Sequence, residues 1–407
     1  MQTLSQSPTD PAFVQNPYPF YERARATGPF FHWQDYALAC TPSAAAVNAI
    51  LRDRRFGREA PPEHAPAIPD HLRPFYAVEA HSMLELEPPR HTRLRALVLR
   101  AFTSRRIAAL APEITQLSHD LIDALPAGEF DLLPHFAQKL PVIIIARLLG
   151  VPEEMADDLL RWSNAMVGMY MAGRRRETED RAVAATEAFV SFLRGYVEAR
   201  RNDPRDDLIS HLIAAESEGD RLSTDELITT CILLLNAGHE ATVHTLGNGV
   251  KTLLEAKTPA TALAPAGIEA TVEEILRYDP ALHLFTRWAY EDVEVMGQTF
   301  HRGDQVGLLL AAANRDPGQW DRPDRFRPDR VAKPNATFGA GLHFCVGAPL
   351  ARLELQIALP ILFARLPDLR LAGRPHYADV FHFHGLKALK LKADQRLPAI
   401  PSGRIQP

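Results

Sequence analysis

The chain has 407 residues, a formal net charge of −5 and 46% hydrophobic residues, ample apolar material for a large buried core. Mild acidity argues against a nucleic-acid partner, since phosphate-binding surfaces need a basic excess, and no run of about 18 apolar residues could form a membrane anchor. Cys40, Cys231 and Cys345 cannot all pair and lack metal-ligand spacing to one another, which argues against a disulfide scaffold or zinc site and fits a reducing cytoplasm.

The first ten residues are polar, with neither a basic start nor an apolar stretch, and do not read as a signal peptide. The 33 prolines are spread along the chain, and no Ser/Gly-rich linker or low-complexity run marks a boundary. Residues 1–407 are therefore expected to form a single large domain, although length alone suggests two or three. Helical periodicity dominates residues 107–256, with clear three- and four-residue apolar spacing over 111–124 and 181–200.

The most informative helix is predicted to begin near Ser223 and run to about Glu255. Ser223 and Glu226 have capping-box spacing, and Asp225 and Glu226 suit the positive end of a helix. Its apolar residues cover every side, which implies burial all round. Yet its middle reads Asn236-Ala237-Gly238-His239-Glu240-Ala241-Thr242. A glycine and a glutamate are poor local choices there, and such violations tend to mark function.

A second helix, 268–278, should end before Pro280. Short strands follow at 285–290, 293–296 and 305–310, then irregular coil over 316–335. A last helix is expected over 349–365, and strand-like alternation near 381–391 closes the pattern. The fold class is mainly α with a minor β portion.

Between the coil and the last helix lies Phe338-Gly-Ala-Gly-Leu-His-Phe-Cys-Val-Gly347. A cysteine just before a helix meets unpaired N–H groups and a positive dipole end, both of which favour a thiolate. The glycines let backbone approach a flat partner closely. On the loop alone, Cys345 reads equally well as a buried small hydrophobe. A c-type haem attachment is excluded, because no Cys-x-x-Cys-His occurs, and companion ligands for zinc are not nearby.

The loop and its continuation Ala348-Pro-Leu-Ala-Arg-Leu-Glu354 resemble the cysteine-ligand loop of the cytochrome P450 family, soluble bacterial type. The resemblance extends over most of the chain. Glu274-Ile-Leu-Arg277 is similar to the family's Glu-x-x-Arg helix, and Arg330 sits where the family completes a Glu–Arg–Arg triad. Ala312-Ala-Asn-Arg-Asp316, His91-Thr-Arg-Leu-Arg95 and Asn16-Pro-Tyr-Pro-Phe20 match further ordered segments. The resemblance implies heme b held between the long central helix and the loop, with the Cys345 thiolate as axial iron ligand. It implies propionate or haem contacts from His91, Arg95, Arg287, Phe338, His343 and Gly347, and a structural role for Glu274, Arg277 and Arg330.

The family's acid–threonine pair is where this sequence departs. Glu240 supplies the acid, but Ala241 follows it, and Thr242 comes one position late, a turn of about 100° around the helix. The favoured reading is that substrate brings a hydroxyl to order the missing water. Water alone at the cost of leaked peroxide, or chemistry other than simple hydroxylation, are the other two. By family register the substrate pocket takes Leu233, Asn236, Ala237 and Ala241 from the long helix, His283, Leu284 and Phe285 from the segment leading to Arg287, and Phe383 from the tail. Asn236 and His283 suggest a largely apolar substrate with at least one polar group. Alternation in the tail sends Phe381 and Phe383 to one face and His382 and His384 to the other. Met166, Met169 and Met171 suit an adaptable lid.

With no Gly-x-Gly-x-x-Gly signal and no cysteine cluster, no fused reductase domain is expected. A separate ferredoxin or flavodoxin with its reductase is implied, docking on Arg93, Arg100, Arg105, Arg106 and Arg352, and the protein is expected to be a monomer. A haem monooxygenase is the main expectation. A peroxide-driven oxygenase and a haem-thiolate binding or recruitment protein without turnover are the alternatives.

Overall fold

The long helix organises the molecule. In the computed structural model, which describes residues 1–171, 174–215 and 220–399, it spans Thr224–Glu255. Ser223 caps it with both halves of the capping box formed. Of its 32 residues 19 are buried, so it runs through the main hydrophobic core rather than over it. Its buried sides meet the helix Lys139–Leu149, where Ile145 packs beside Gly238. They also meet the helix Ile268–Tyr278, where Ile275 packs beside Gly249.

One face of the long helix escapes full burial. Leu233, Asn236, Ala237, Glu240, Ala241 and His244 are its partly or fully exposed positions between Leu233 and Glu255 that follow helical spacing. Steps of three and one residues keep them on a single stripe. Of the two unfavourable residues, Glu240 lies on this stripe, whereas Gly238 faces Ile145.

The β portion is a six-stranded sheet. Its order is Gln2–Leu4, Phe31–Trp33, Leu38–Thr41, Gln305–Leu309, Leu284–Ala289 and Phe56–Gly57. Two of its pairings are parallel, Gln2 opposite Phe31 and Cys40 opposite Gly307. Leu284–Ala289 runs antiparallel to Gln305–Leu309, with Arg287 opposite Val306. This sheet carries its own apolar clusters, one around Ile50 and Val306 and another around Phe13 and Trp33. A smaller sheet joins Gly128–Asp131 to Lys390–Ala393 and Arg370–Leu371.

The last helix occupies Ala348–Arg365 with Gly347 at its N-cap, and the stretch after Asp316 is irregular up to Gly341. The tail differs from its expected alternation. Residues 381–384 form a turn that makes an isolated β-bridge to the body, Leu282–Phe383. Phe381 packs on Phe13 and Trp33, and His384 stacks on Tyr377 at 3.8 Å. Phe381 and His384 are thus both buried, while His382 and Phe383 are less so. Among the described residues no helix is long and apolar enough to cross a membrane.

Candidate active site

Cys345 sits between the irregular stretch and the last helix, with its amide donating to Phe338 O at 3.1 Å. The amides of Gly347 and Ala348 point at its sulfur, and Arg95 and Arg352 lie near enough to favour a thiolate. Burial outweighs them and pushes the thiol up. A bound metal ion removes such a proton outright, so the expected thiolate belongs to the haem-loaded protein. Cys40 and Cys231 differ in kind. Burial pushes both up to about 12, so they are inert core thiols.

The loop is held closely from behind. Gly341 has φ +68°, and a Cβ there would meet Leu51 O at 2.2 Å. Gly341→Ala is expected to cost about 1–3 kcal/mol in strain and to weaken haem retention. Thermal unfolding and haem content of the purified variant would check this; an unchanged midpoint with full haem would refute it.

The propionate-side candidates converge, with corrections. His91 is buried with Nδ1 unpartnered, and its ring lies 4.3 Å from that of His343. Burial and then His343 push His91 down to about 4. His343 Nε2 faces Glu87 Oε1 at 2.8 Å, so it is engaged by a carboxylate that the sequence reading missed. Arg95 donates to Phe344 O at 2.7 Å. Arg287 is buried, and burial with the neighbouring Arg58 charge brings it down to about 10.

Arg58 was not foreseen either. It donates to Glu85 at 2.7 Å, lies over the Phe285 ring, and has a buried Nε without a partner. A surplus of guanidinium donors with orphaned nitrogens suits a ligand bearing two carboxylates. The haem implied by the cysteine loop therefore fits these residues. Phe338, under the Arg352 guanidinium at 4.6 Å, and Phe285, within 3.5 Å of the position a Gly339 Cβ would take, supply apolar contact near the sulfur loop.

On the long helix, Glu240 stands between two imidazoles. His244 Nε2 is 3.1 Å from Oε1 and His239 Nε2 is 3.3 Å from Oε2. Burial would raise this carboxyl, but the hydrogen bonds from His239 and His244 win and hold it far below the usual carboxylate range. His239 is further fixed by Leu235 O at 2.9 Å and Asn164 Oδ1 at 3.3 Å. Ala241 shares the exposed stripe, whereas Thr242 is buried and donates its hydroxyl to Gly238 O at 3.0 Å. Its hydroxyl is committed to the helix backbone.

The pocket expectations divide. Leu233, Asn236, Ala237 and Ala241 lie on the stripe with Glu240, and Asn236 donates to the Met166 sulfur at 3.7 Å. Met166 and Met169 are buried, and Met171 is partly so. Phe383 lies 6.4 Å from the His244 ring. His283 and Leu284 do not belong with these. Leu284 packs into the Phe13–Trp33 cluster, because strand alternation turns it away from Phe285 and Arg287. His283 is fully buried, bonded to Tyr21 at 2.8 Å and set 4.4 Å from the His384 ring.

The expected docking patch is also weaker than its sequence suggests. Arg93 is paired with Glu226 and Asp220, and Arg352 with Glu273. Arg93 and Arg352 thus carry their own counter-charge.

Glu274, Arg277 and Arg330 form one network. Arg277 makes a two-pronged contact with Glu274, both bonds at 2.7 Å, and Arg330 reaches the same carboxylate at 3.1 Å. Arg277 also donates to Asn314 O, Pro323 O and Arg325 O, tying the irregular stretch to the helix.

A family model described as Cytochrome P450 matches residues 268–366. The vitamin D(3) 25-hydroxylase of Pseudonocardia autotrophica is 40% identical over 368 residues, 88% of this chain and 89% of that protein. The 6-deoxyerythronolide B hydroxylase of Saccharopolyspora erythraea is 39% identical over 75% of this chain and 74% of its own. The crystal structure of P450BioI in complex with hexadec-9Z-enoic acid ligated acyl carrier protein superposes with a TM-score of 0.89 at 33% identity. It covers 94% of this chain and 100% of that one. Identity at this level over nearly the whole chain, together with the cysteine loop and the Glu–Arg–Arg network, assigns the chain to the cytochrome P450 family, whose members carry haem with a cysteine thiolate as axial ligand.

Proposed function

We propose that this cytochrome P450 monooxygenase oxidises a largely apolar small molecule carrying at least one hydrogen-bonding group, and that substrate hydroxyl chemistry replaces the missing threonine. Residues 1–407 act as one haem domain, a monomer, supplied with electrons by a separate ferredoxin or flavodoxin. The carrying observation is the pairing of an ionised Glu240 with Ala241 on the exposed stripe while Thr242 is bonded into the helix.

Haem, when bound, would supply dioxygen activation. Cys345 would hold its iron, and Arg58, Arg95, Arg287 and His91 would hold the propionates. Apolar Leu233, Ala237 and Phe383 favour an apolar substrate body. The buried, unpartnered Oδ1 of Asn236 offers an acceptor for a substrate donor, since a buried acceptor left unpaired is costly. By their names, the hydroxylase relatives act on vitamin D(3) and on 6-deoxyerythronolide B, in keeping with a small-molecule substrate.

Ala241→Thr tests the reading. With the true substrate, product formed per reductant consumed should stay level or fall, because the added hydroxyl competes with that of the substrate. A strong rise in coupling would sink substrate assistance. Supplying peroxide without reductase, and then reductase without peroxide, separates a reductase-driven enzyme from a peroxide-driven one.

A further inference from the structure

Below Glu240 the stripe passes into a polar row on the long helix: the partly buried His244 and the buried Asn248 and Thr252, each one turn further on. It spans about 18 Å from Glu240 to Thr252 at 1.5 Å per residue. Since Glu240 is ionised and can only accept, His244 Nε2 must donate to it, which leaves the His244 Nδ1 lone pair buried and unpartnered. Asn248 donates to His384 O at 2.9 Å and Asp279 O at 3.3 Å, joining the helix to the tail turn.

There, orphaned polar atoms gather. His244 Nδ1, Asn248 Oδ1, Thr252 Oγ1, Asp279 Oδ1, His283 Nε2 and His384 Nδ1 are all buried without a partner. Leaving each so is costly. Buried waters, which make about three hydrogen bonds each, are the usual remedy. The ligand atoms of Asp279, His283 and His384 lie within 4.8 Å of one another. A dication is poorly suited to that spot, because Lys251 Nζ already sits 3.2 Å from Asp279 and Arg315 lies close by. The outer end reaches solvent: Lys251 is slightly exposed, contacts Tyr377 and Asp279, and lies 3.8 Å from the half-exposed Glu255.

Resting on the monooxygenase reading above, we propose that this row is a water-linked proton conduit. It leads from Lys251 and Tyr377 at the surface, through Asp279, His384 and His244, to Glu240, and supplies the protons that Glu240 hands on toward the substrate hydroxyl. Each turnover takes up one dioxygen, two electrons from the redox partner and two protons from solvent, and releases oxygenated product and one water. The conduit carries only the protons. Each imidazole takes a proton on one nitrogen and releases one from the other. Burial, countered by Asp279, sets His384 at about 4, so it rests neutral and able to accept. Asp279 is held at about 2, burial being overcome chiefly by Lys251 and His384.

Two substitutions away from the exposed stripe test it in the holoenzyme. His384→Phe keeps the ring stacked on Tyr377 but removes both nitrogens. Gly385→Ala pushes on His244, whose Nδ1 lies 1.8 Å from where the new Cβ would be. Both should lower product per reductant consumed on the order of ten-fold, raise released peroxide and change the solvent isotope effect, while the substrate-induced haem absorption shift keeps its Kd. A merely structural role would move the melting point and leave the isotope effect alone. A high-resolution crystal structure of the holoenzyme should show waters bridging His244 Nδ1 and His384 Nδ1; a dry contact there overturns the conduit, even if neither variant folds. Wild-type coupling and isotope effect in both folded variants would also overturn it. A wild-type enzyme that fails to turn over with reductase, yet holds those waters, would instead count against the monooxygenase reading.

Discussion

Glu274→Gln should destabilise the protein by about 3–5 kcal/mol, the cost of leaving buried charge uncompensated. The carboxylate accepts four hydrogen bonds: on Oε1 from Arg277 at 2.7 Å and the Arg327 amide at 2.8 Å, on Oε2 from Arg277 at 2.7 Å and Arg330 at 3.1 Å. Glutamine keeps the shape but turns one oxygen into a donor, which then faces donors. It also leaves Arg277, 1% exposed, without a counter-charge. The damage should spread to the cysteine loop through a short chain of bonds. Thr337 donates to Leu276 O at 2.7 Å, Asn314 donates to Thr337 at 2.9 Å, and the Ala336 amide donates to Asn314 at 2.6 Å, two residues before Phe338. Urea unfolding of the holoenzyme and its haem content are the measurements. A stability within about 0.5 kcal/mol of wild type would show that the network is dispensable.

That network was legible from sequence because its parts lie on strongly patterned elements. The helix Ile268–Tyr278 has a clear apolar face and a proline stop. The long helix announced itself through its capping box and its apolar run. Local signals such as these survive without knowledge of the fold. Long-range pairing leaves no such trace: the strands Gln2–Leu4 and Phe31–Trp33 are three residues each, too short for alternation to count, and their parallel register joins residues far apart in sequence. The misplacement of His283 and Leu284 came from carrying a family register across three consecutive residues, although successive residues of a strand point to opposite faces. His244 was missed despite a readable cue, its four-residue spacing from Glu240 on one helix face. Arg58 and Glu87 carried no cue, since only the fold brings residues so distant in sequence to the His343 ring.

Glu240→Gln is expected to lower the rate of product formation about 100-fold, while substrate still binds and shifts the haem absorption. The amide cannot take up a proton, and it faces two imidazoles that both donate to the native carboxylate. Asn164 remains as a partner for His239 at 3.3 Å, so the helix should hold its shape and the loss should fall on turnover rather than on folding. The pH dependence follows from the sign of the shift. Glu240 has a folded value depressed below the unfolded carboxylate value of about 4.3. Its contribution to stability is therefore complete above about 4.3 and is lost only as the pH falls toward the depressed value. An acid limb in wild-type turnover between about pH 5 and 7 would accordingly belong to an imidazole, and Glu240→Gln should lower the plateau without moving that limb. If instead the limb vanishes in Glu240→Gln with the plateau intact, the carboxyl itself titrates there, and the ion-paired Glu240 between His239 and His244 is not the form that works.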